Sequence, residues 1–172
     1  VNYPIGAEDQ FVGVIDLINF EEVHFLDDTG SKMERRPIDS SRLELANSLR
    51  EKLYEAASEA DGNLIEIYLE TGVLSKEQIM EGLRKATILG FRIPMFCGSA
   101  FKNKGVQNLL DGVVQFLPSP LDVGAVTGTN PDSGDSLSLH PSNDEAFSAL
   151  AFKVQADPFV GKLTYLRVYS GK

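Results

Sequence analysis

Residues 93–118 read IPMFCGSAFKNKGVQNLLDGVVQFLP, and this stretch decides the fold at the centre of the chain. The apolar run Ile93–Cys97 predicts a short buried strand. From Val106 onward, apolar residues recur at helical spacing as far as Leu117, and Pro118 ends the pattern. A strand joined by a short loop to a helix is an α/β unit, in which ligands bind where the strand leads into the helix.

The loop of this unit carries the best candidate for a binding site. Gly98 and Gly105 allow a close approach of the backbone, and the successive N–H groups of Ser99 and Ala100 suit a base carbonyl. An ordinary strand-to-helix turn that binds nothing explains the same residues, so both interpretations stay open at this point.

The segment before this unit predicts strands followed by three helices. Strands are expected over Phe11–Ile18 and Glu21–Leu26, then a turn at Asp27–Gly30 and a weak return strand near Met33. Ser41 and Glu44 form a capping-box pattern that begins an amphipathic helix over residues 42–60. Its predicted inner face is Leu45, Leu49, Leu53, Ala56, Ala57 and Ala60, and its opposite face carries Arg50, Glu51, Glu55 and Glu59.

Two shorter helices follow the first one. Leu64–Glu70 predicts a helix that Gly72 stops. Ser75 and Gln78 predict a capping box for a third helix that buries Ile79, Leu83 and Ala86 and ends at Gly90.

The C-terminal third predicts a linker and a β-hairpin. In residues 118–144, 20 of the 27 residues are Pro, Gly, Ser, Thr, Asn or Asp, a composition typical of a linker. Phe147–Val154 and Leu163–Tyr169 are β-prone runs on either side of a turn. Because a lone hairpin is only marginally stable, we expect it to pair with another sheet. One form that this pairing could take is a non-native dimer through exposed strands.

Composition and charge exclude several functions. The formal net charge of the 172 residues is -9, and residues 1–93 hold 10 Lys and Arg against 18 Asp and Glu. Such an acidic surface does not favour strong nucleic-acid binding by this chain, so a protein partner is expected. No apolar run is long enough for a membrane span. The single cysteine, Cys97, and two distant histidines predict neither a disulfide nor a metal site nor a catalytic pair.

Nucleotide-hydrolysis motifs are incomplete. A phosphate loop needs Gly-x-x-x-x-Gly-Lys-Ser/Thr, but Gly161-Lys162 precedes Leu163 and Gly171-Lys172 ends the chain. Asn103-Lys104-Gly105 begins like a guanine-selecting motif, yet Val106 stands where Asp is required. Asp27-x-x-Gly30 is better explained by a turn. We therefore predict no catalytic residue in this chain.

Several stretches together resemble bacterial elongation factor G, the translational GTPase of ribosomal translocation. They occur in the family's order and span nearly the whole chain: PIGAED at 4–9, GVIDL at 13–17, GSAFKNKGV at 98–106, LPSP at 117–120, FSALAFK at 147–153, DPFVGKLT at 157–164 and RVYSG at 167–171. The missing initiator Met and the missing hydrolysis motifs then suggest an internal piece of a longer protein, called the parent below.

The resemblance implies an assignment of each part. Residues 1–93 are similar to the G′ insert of the GTPase domain, 94–117 to its last strand and helix, 118–144 to a linker, and 145–172 to the first strands of β-barrel domain II. The expected fold class is therefore α+β with an α/β unit. The parent would bind GTP or GDP with Mg²⁺ in the cytoplasm, whereas no cofactor is expected to bind this piece alone.

The resemblance also implies two sites. Gly98, Ser99, Ala100, Phe101 and Lys102 correspond to the motif on the guanine side of the nucleotide. The partner would be the ribosome, in particular the large-subunit stalk protein, and we expect Arg50, Glu51, Glu55 and Glu59 to face it. A piece of a specialised elongation factor G paralogue stays open as an alternative. A stand-alone stalk-binding module is the other alternative, but the hairpin and the α/β unit argue against it because both leave sheet edges without partners.

Overall fold

The computed structural model describes residues 1–130 and 132–172; Pro131, which belongs to the predicted linker, lies outside the described residues. The chain divides into two compact units, Val1–Leu117 and Pro118–Lys172. Helices and small antiparallel sheets are mixed along the chain, which confirms the predicted α+β class.

The first unit begins with a four-stranded antiparallel sheet in sequence order. Its strands are β1 (Asn2–Ile5), β2 (Gly13–Asp16), β3 (Glu21–Phe25) and β4 (Met33–Arg36). The prediction of a strand over Phe11–Ile18 was too long, because the Asp16 carboxylate accepts the N–H groups of Ile18 and Asn19 at 2.9 Å each and turns the chain. Strand β1 was not predicted.

Three helices pack against this sheet: α1 (Ser40–Ser58), α2 (Gly62–Thr71) and α3 (Lys76–Ile88). The capping box of Ser41 and Glu44 was wrong, because Asp39 is the cap and accepts the Ser41 N–H at 2.9 Å. The stop signal of α2 and the capping box of α3 are confirmed, whereas α2 begins at Gly62 and not at the predicted Leu64. Gly72 ends α2 in the left-handed conformation, and Ser75 forms a reciprocal capping box at the start of α3.

The core of the first unit lies between the sheet and these helices. Ile15, Ala57 and Ile79 are fully buried there. The inner face of α1 is rotated from the prediction, since Ala46 and Tyr54 are buried whereas Leu45 is exposed. The tyrosine ring fills the core at a position that the spacing of aliphatic residues did not indicate.

The predicted buried strand at Ile93–Cys97 does not form. The segment has no regular secondary structure, Ile93 is 86% exposed and Met95 is 75% exposed. Within the described residues it has no strand to pair with. Two hydrogen bonds join it to the start of the chain: the Val1 amine donates to the Met95 carbonyl, and the Cys97 N–H donates to Asn2 Oδ1. A strand needs a neighbouring ladder, so apolar character alone did not suffice.

Helix α4 (Val106–Phe116) follows this segment. Its predicted apolar face is only partly used: Phe116 is buried beside Phe96, with ring centroids 6.4 Å apart, whereas Leu110 and Val114 are exposed. Gly112 lets the Phe96 ring lie directly against the helix backbone, because a Cβ at that position would be 2.3 Å from Phe96 Cζ.

The second unit contains more regular structure than the predicted linker allowed. It comprises helix α5 (Pro120–Val123), the hairpin of β5 (Val126–Thr129) with β6 (Ser136–Leu139), and the hairpin of β7 (Ser148–Asp157) with β8 (Gly161–Ser170). The last hairpin confirms the prediction. Among the described residues of this unit only Ser170 is buried, so its strands expose apolar side chains. No helix within residues 1–130 and 132–172 has the length and apolar character to cross a membrane.

Candidate functional site

The predicted guanine-side residues Gly98–Lys102 lie in one closed loop between the segment Ile93–Cys97 and α4. The Ser99 N–H donates to the Lys104 carbonyl at 2.8 Å, and the Lys104 N–H donates to the Ser99 carbonyl at 3.0 Å. Between Ser99 and Lys104 the chain makes a tighter turn, in which the Asn103 N–H donates to the Ala100 carbonyl at 3.1 Å. These bonds hold the backbone of the loop in one conformation.

The hydrogen-bonding pattern corrects one prediction. The Ser99 N–H is already bonded to Lys104, so it is not free to bind a base carbonyl. Within residues 1–130 and 132–172, no acceptor takes the Ala100 N–H. Ala100 is therefore the one of the two predicted donors that a ligand could use.

Side chains around the Ala100 amide are open to solvent. Phe101 is 101% exposed, and Lys102 lies beside it with only a 4.0 Å contact to the carboxylate of Asp9. An exposed aromatic ring and a long aliphatic stem thus follow the free amide in sequence, and both are side chains that can pack on a flat heterocycle.

Both loop glycines are required by close backbone contacts, as the sequence predicted. A Cβ on Gly98 would lie 2.6 Å from the Lys104 carbonyl oxygen. Gly105 has φ +84°, and a Cβ there would lie 3.0 Å from the Cys97 carbonyl oxygen. The loop closes because neither position carries a side chain.

The turn between β3 and β4 supports this loop, which sequence reasoning missed. Gly30 packs so closely that a Cβ on it would lie 2.4 Å from the Asn103 carbonyl oxygen. The Gln107 Nε2 donates to the Gly30 carbonyl at 3.2 Å, and the Phe25 ring lies beneath Gly105. These partners are about 75 residues apart in sequence, so no local pattern could have indicated them.

The second set of predicted residues lies on α1. Glu51 and Glu55 are exposed, and no ion pair involves either of them in the part of the chain that the structure describes. Glu59 is exposed as well and pairs with Arg92. Two of the four predicted residues thus form an open acidic pair one helical turn apart.

The prediction that Arg50 shares the exposed face of α1 with the glutamates was wrong. Its guanidinium is half-buried, donates from Nε to the Tyr54 hydroxyl at 2.6 Å, and lies 4.6 Å from the centroid of the Phe20 ring. A cation held against two aromatic rings stabilises α1 on the sheet. Arg50 therefore does not point outward with the glutamates.

A buried carboxylate anchors the start of α1. Glu22 on β3 is 2% exposed and accepts from Arg42 Nε at 2.7 Å and from the Asp39 N–H at 3.1 Å. Burial alone would raise the pKa of Glu22, but the hydrogen bonds from Arg42, His24 and Asp39 lower that pKa to about 2. The ionised carboxylate therefore ties the acidic helix to the sheet.

Other reactive side chains are not brought together. Cys97 is half-buried, His24 pairs with Glu22 at 2.7 Å, and His140 pairs with Glu145 at 2.8 Å. Across residues 1–130 and 132–172 there is no cluster of His, Cys, Asp and Glu that could hold a metal ion.

The chain is similar to a solved structure but matches no family model. The crystal structure of ttk003000868 from Thermus thermophilus aligns with a TM-score of 0.73 at 26% identity, over 99% of this chain and 23% of that chain. This alignment defines the chain as an α+β protein whose fold, over nearly its whole length, matches one part of a much longer protein. The chain spans about a quarter of the length of that protein.

Proposed function

We propose that this chain is a segment of a translational GTPase of the elongation factor G family, which works on the ribosome in the cytoplasm. The family-like stretches at 4–9, 13–17 and 98–106, in the family's order, carry the proposal. The alignment of 99% of the chain with part of a longer protein supports it, because a segment of a large factor would give that result.

In this proposal the Gly98–Lys102 loop contacts the guanine of GTP or GDP. Ala100 donates its free N–H to the carbonyl at C6 of guanine, while Phe101 and Lys102 cover the ring. GTP supplies the phosphate bond whose hydrolysis drives the factor, and Mg²⁺ accompanies its phosphates. The residues of this chain fit the base end only, since its sequence contains no phosphate loop.

A proline substitution tests the proposed hydrogen bond in the full-length parent. Ala100→Pro removes the N–H, and the preceding Ser99 lies in an extended bridge that tolerates a following proline. We expect affinity for fluorescent GDP to fall about tenfold, the value of one ligand hydrogen bond. Ala100→Gly keeps the N–H and is the matched control.

A second nucleotide distinguishes the loss of this hydrogen bond from a distortion of the whole loop. The diphosphate of 2-aminopurine riboside lacks the C6 carbonyl, so its affinity should be equal in the parent and in Ala100→Pro. An equal loss for both nucleotides would mean that the proline distorts the loop, and unchanged GDP affinity would contradict the proposed contact.

We further propose that the acidic face of α1 binds the ribosomal stalk protein. Glu51 and Glu55 carry this part, because they are exposed and unpaired in the described structure. Opposite charge on the partner would raise the association rate more than it strengthens the final complex. The same face would serve a stand-alone stalk-binding module, which is the second candidate function.

Charge reversal tests the stalk contact. We expect the double variant Glu51→Lys/Glu55→Lys to bind the C-terminal domain of the stalk protein roughly tenfold more weakly, mainly through a slower association rate. Glu66→Lys/Glu70→Lys on α2 is the control, since both positions are exposed and carry the same charge change. Equal binding by both double variants in calorimetry would refute the assignment to α1.

A further inference from the structure

The turn between β3 and β4 meets the candidate guanine loop backbone to backbone. Besides the Asn103 carbonyl, a Cβ on Gly30 would approach the Lys104 nitrogen to 2.9 Å. Lys104 is itself buried and forms both hydrogen bonds that close the loop with Ser99. Gly30 therefore lies against the residue on which the closure of the loop depends.

Side-chain hydrogen bonds close the turn at that contact. The Asp27 carboxylate accepts the Ser31 N–H at 2.9 Å and the Ser31 hydroxyl at 2.6 Å. These bonds lower the pKa of Asp27, so the ionised carboxylate keeps the turn closed to a more acidic pH than an unpaired aspartate would. The Gln107 amide then links the Gly30 carbonyl to the first turn of α4. The turn thus contacts the loop at Asn103 and Lys104 and the first turn of α4 at Gln107.

We infer that the β3–β4 turn positions the 98–105 loop, and that the sheet of residues 2–36 thereby sets the affinity of the loop for its ligand. The second half of this inference rests on the proposed function. Gly30 is a positioning residue, because it touches the loop backbone and acts on a ligand only through Lys104 and Ser99.

The test compares two glycines with the same backbone conformation. Gly30 has φ +61° and Gly72 has φ +73°, but nothing lies within 4 Å of a Cβ on Gly72. Alanine at either position bears a similar cost of the left-handed conformation. Only Gly30→Ala pushes the Asn103–Lys104 backbone away.

Amide hydrogen exchange of the 172-residue chain, followed by NMR, reads out the loop without any nucleotide. We expect Gly30→Ala to speed exchange at the Ser99 and Lys104 amides about tenfold or more, because these amides are protected only while the loop is closed. Gly72→Ala should leave both rates unchanged. Equal exchange at Ser99 and Lys104 in the two variants would overturn the inference.

A second variant covers the case in which Gly30→Ala does not fold. Gln107→Met keeps the length of the side chain and removes the donor to the Gly30 carbonyl. It should raise exchange at the same two amides by a smaller factor, and unchanged exchange would also overturn the inference.

Nucleotide binding by the parent separates this inference from the proposed function. If the parent binds GDP, Gly30→Ala should weaken that binding and Gly72→Ala should not. Faster exchange at Ser99 and Lys104 with unchanged GDP affinity would overturn the link to the ligand. A parent that binds no guanine nucleotide would refute the proposed function and leave the exchange result standing.

Discussion

Replacing Glu22 by Gln should loosen the attachment of α1 to the sheet. The pKa of Glu22 falls from 4.5 to about 2 in the folded chain, because the hydrogen bonds from Arg42, His24 and Asp39 outweigh the effect of burial. At about 1.4 kcal/mol per pKa unit, the ionised form stabilises the fold by about 3 kcal/mol at neutral pH. Arg42 is partly exposed and can be rehydrated, so the observed loss should be about 2–3 kcal/mol.

The pH dependence distinguishes this mechanism from a packing defect. A lowered pKa gives stability that is complete above the unfolded value of 4.5 and disappears as the pH falls to about 2. Urea denaturation should therefore show a large deficit of the variant Glu22→Gln at pH 7 and almost none near pH 2. Glu34→Gln on β4 is the control, since its carboxylate is exposed and should matter little. A Glu22→Gln deficit that stays constant between pH 6 and pH 2.5 would show that the ionised carboxylate is not the source of the stability.

Three further predictions concern packing, capping and self-association. Ile79→Ala removes a fully buried side chain and should lower the free energy of unfolding by about 3 kcal/mol in urea denaturation; a loss of under about 1 kcal/mol would contradict the core described here. Ser75→Ala removes the capping box of α3 and should cost about 1 kcal/mol, whereas Ser75→Asp should not. The exposed apolar strands β7 and β8 should drive dimer formation in a light-scattering concentration series, and Phe152→Lys should reduce it. A monomer at all concentrations would disprove that association.

Local signals predicted the parts of the fold that local chemistry decides. The capping box at Ser75, the left-handed Gly72 and the hairpin of β7 and β8 depend on residues close in sequence, and the structure confirms them. The start of α1 was wrong by a residue or two because the Asp39 carboxylate, and not the Ser41 hydroxyl, caps the helix, by accepting the Ser41 N–H.

Long-range contacts decided the parts that could not be predicted. The apolar segment Ile93–Cys97 has the composition of a strand, but no neighbouring strand pairs with it in the described residues. Likewise, the Ser99 amide is taken by Lys104, and the loop rests on Gly30 from a distant turn. Sequence located the candidate loop through its glycines, and the structure determined which of its amides is free.

Reading the coding frame on both sides of this segment in its source tests whether the chain is part of a longer translational GTPase. We expect the frame to continue upstream of Val1 into a Gly-x-x-x-x-Gly-Lys-Ser/Thr loop and a complete Asn-Lys-x-Asp motif. We also expect it to encode further β-strands of a barrel beyond Lys172. A start codon and a stop codon flanking these 172 residues would contradict the proposed function, and the stalk-binding module would then be the leading explanation.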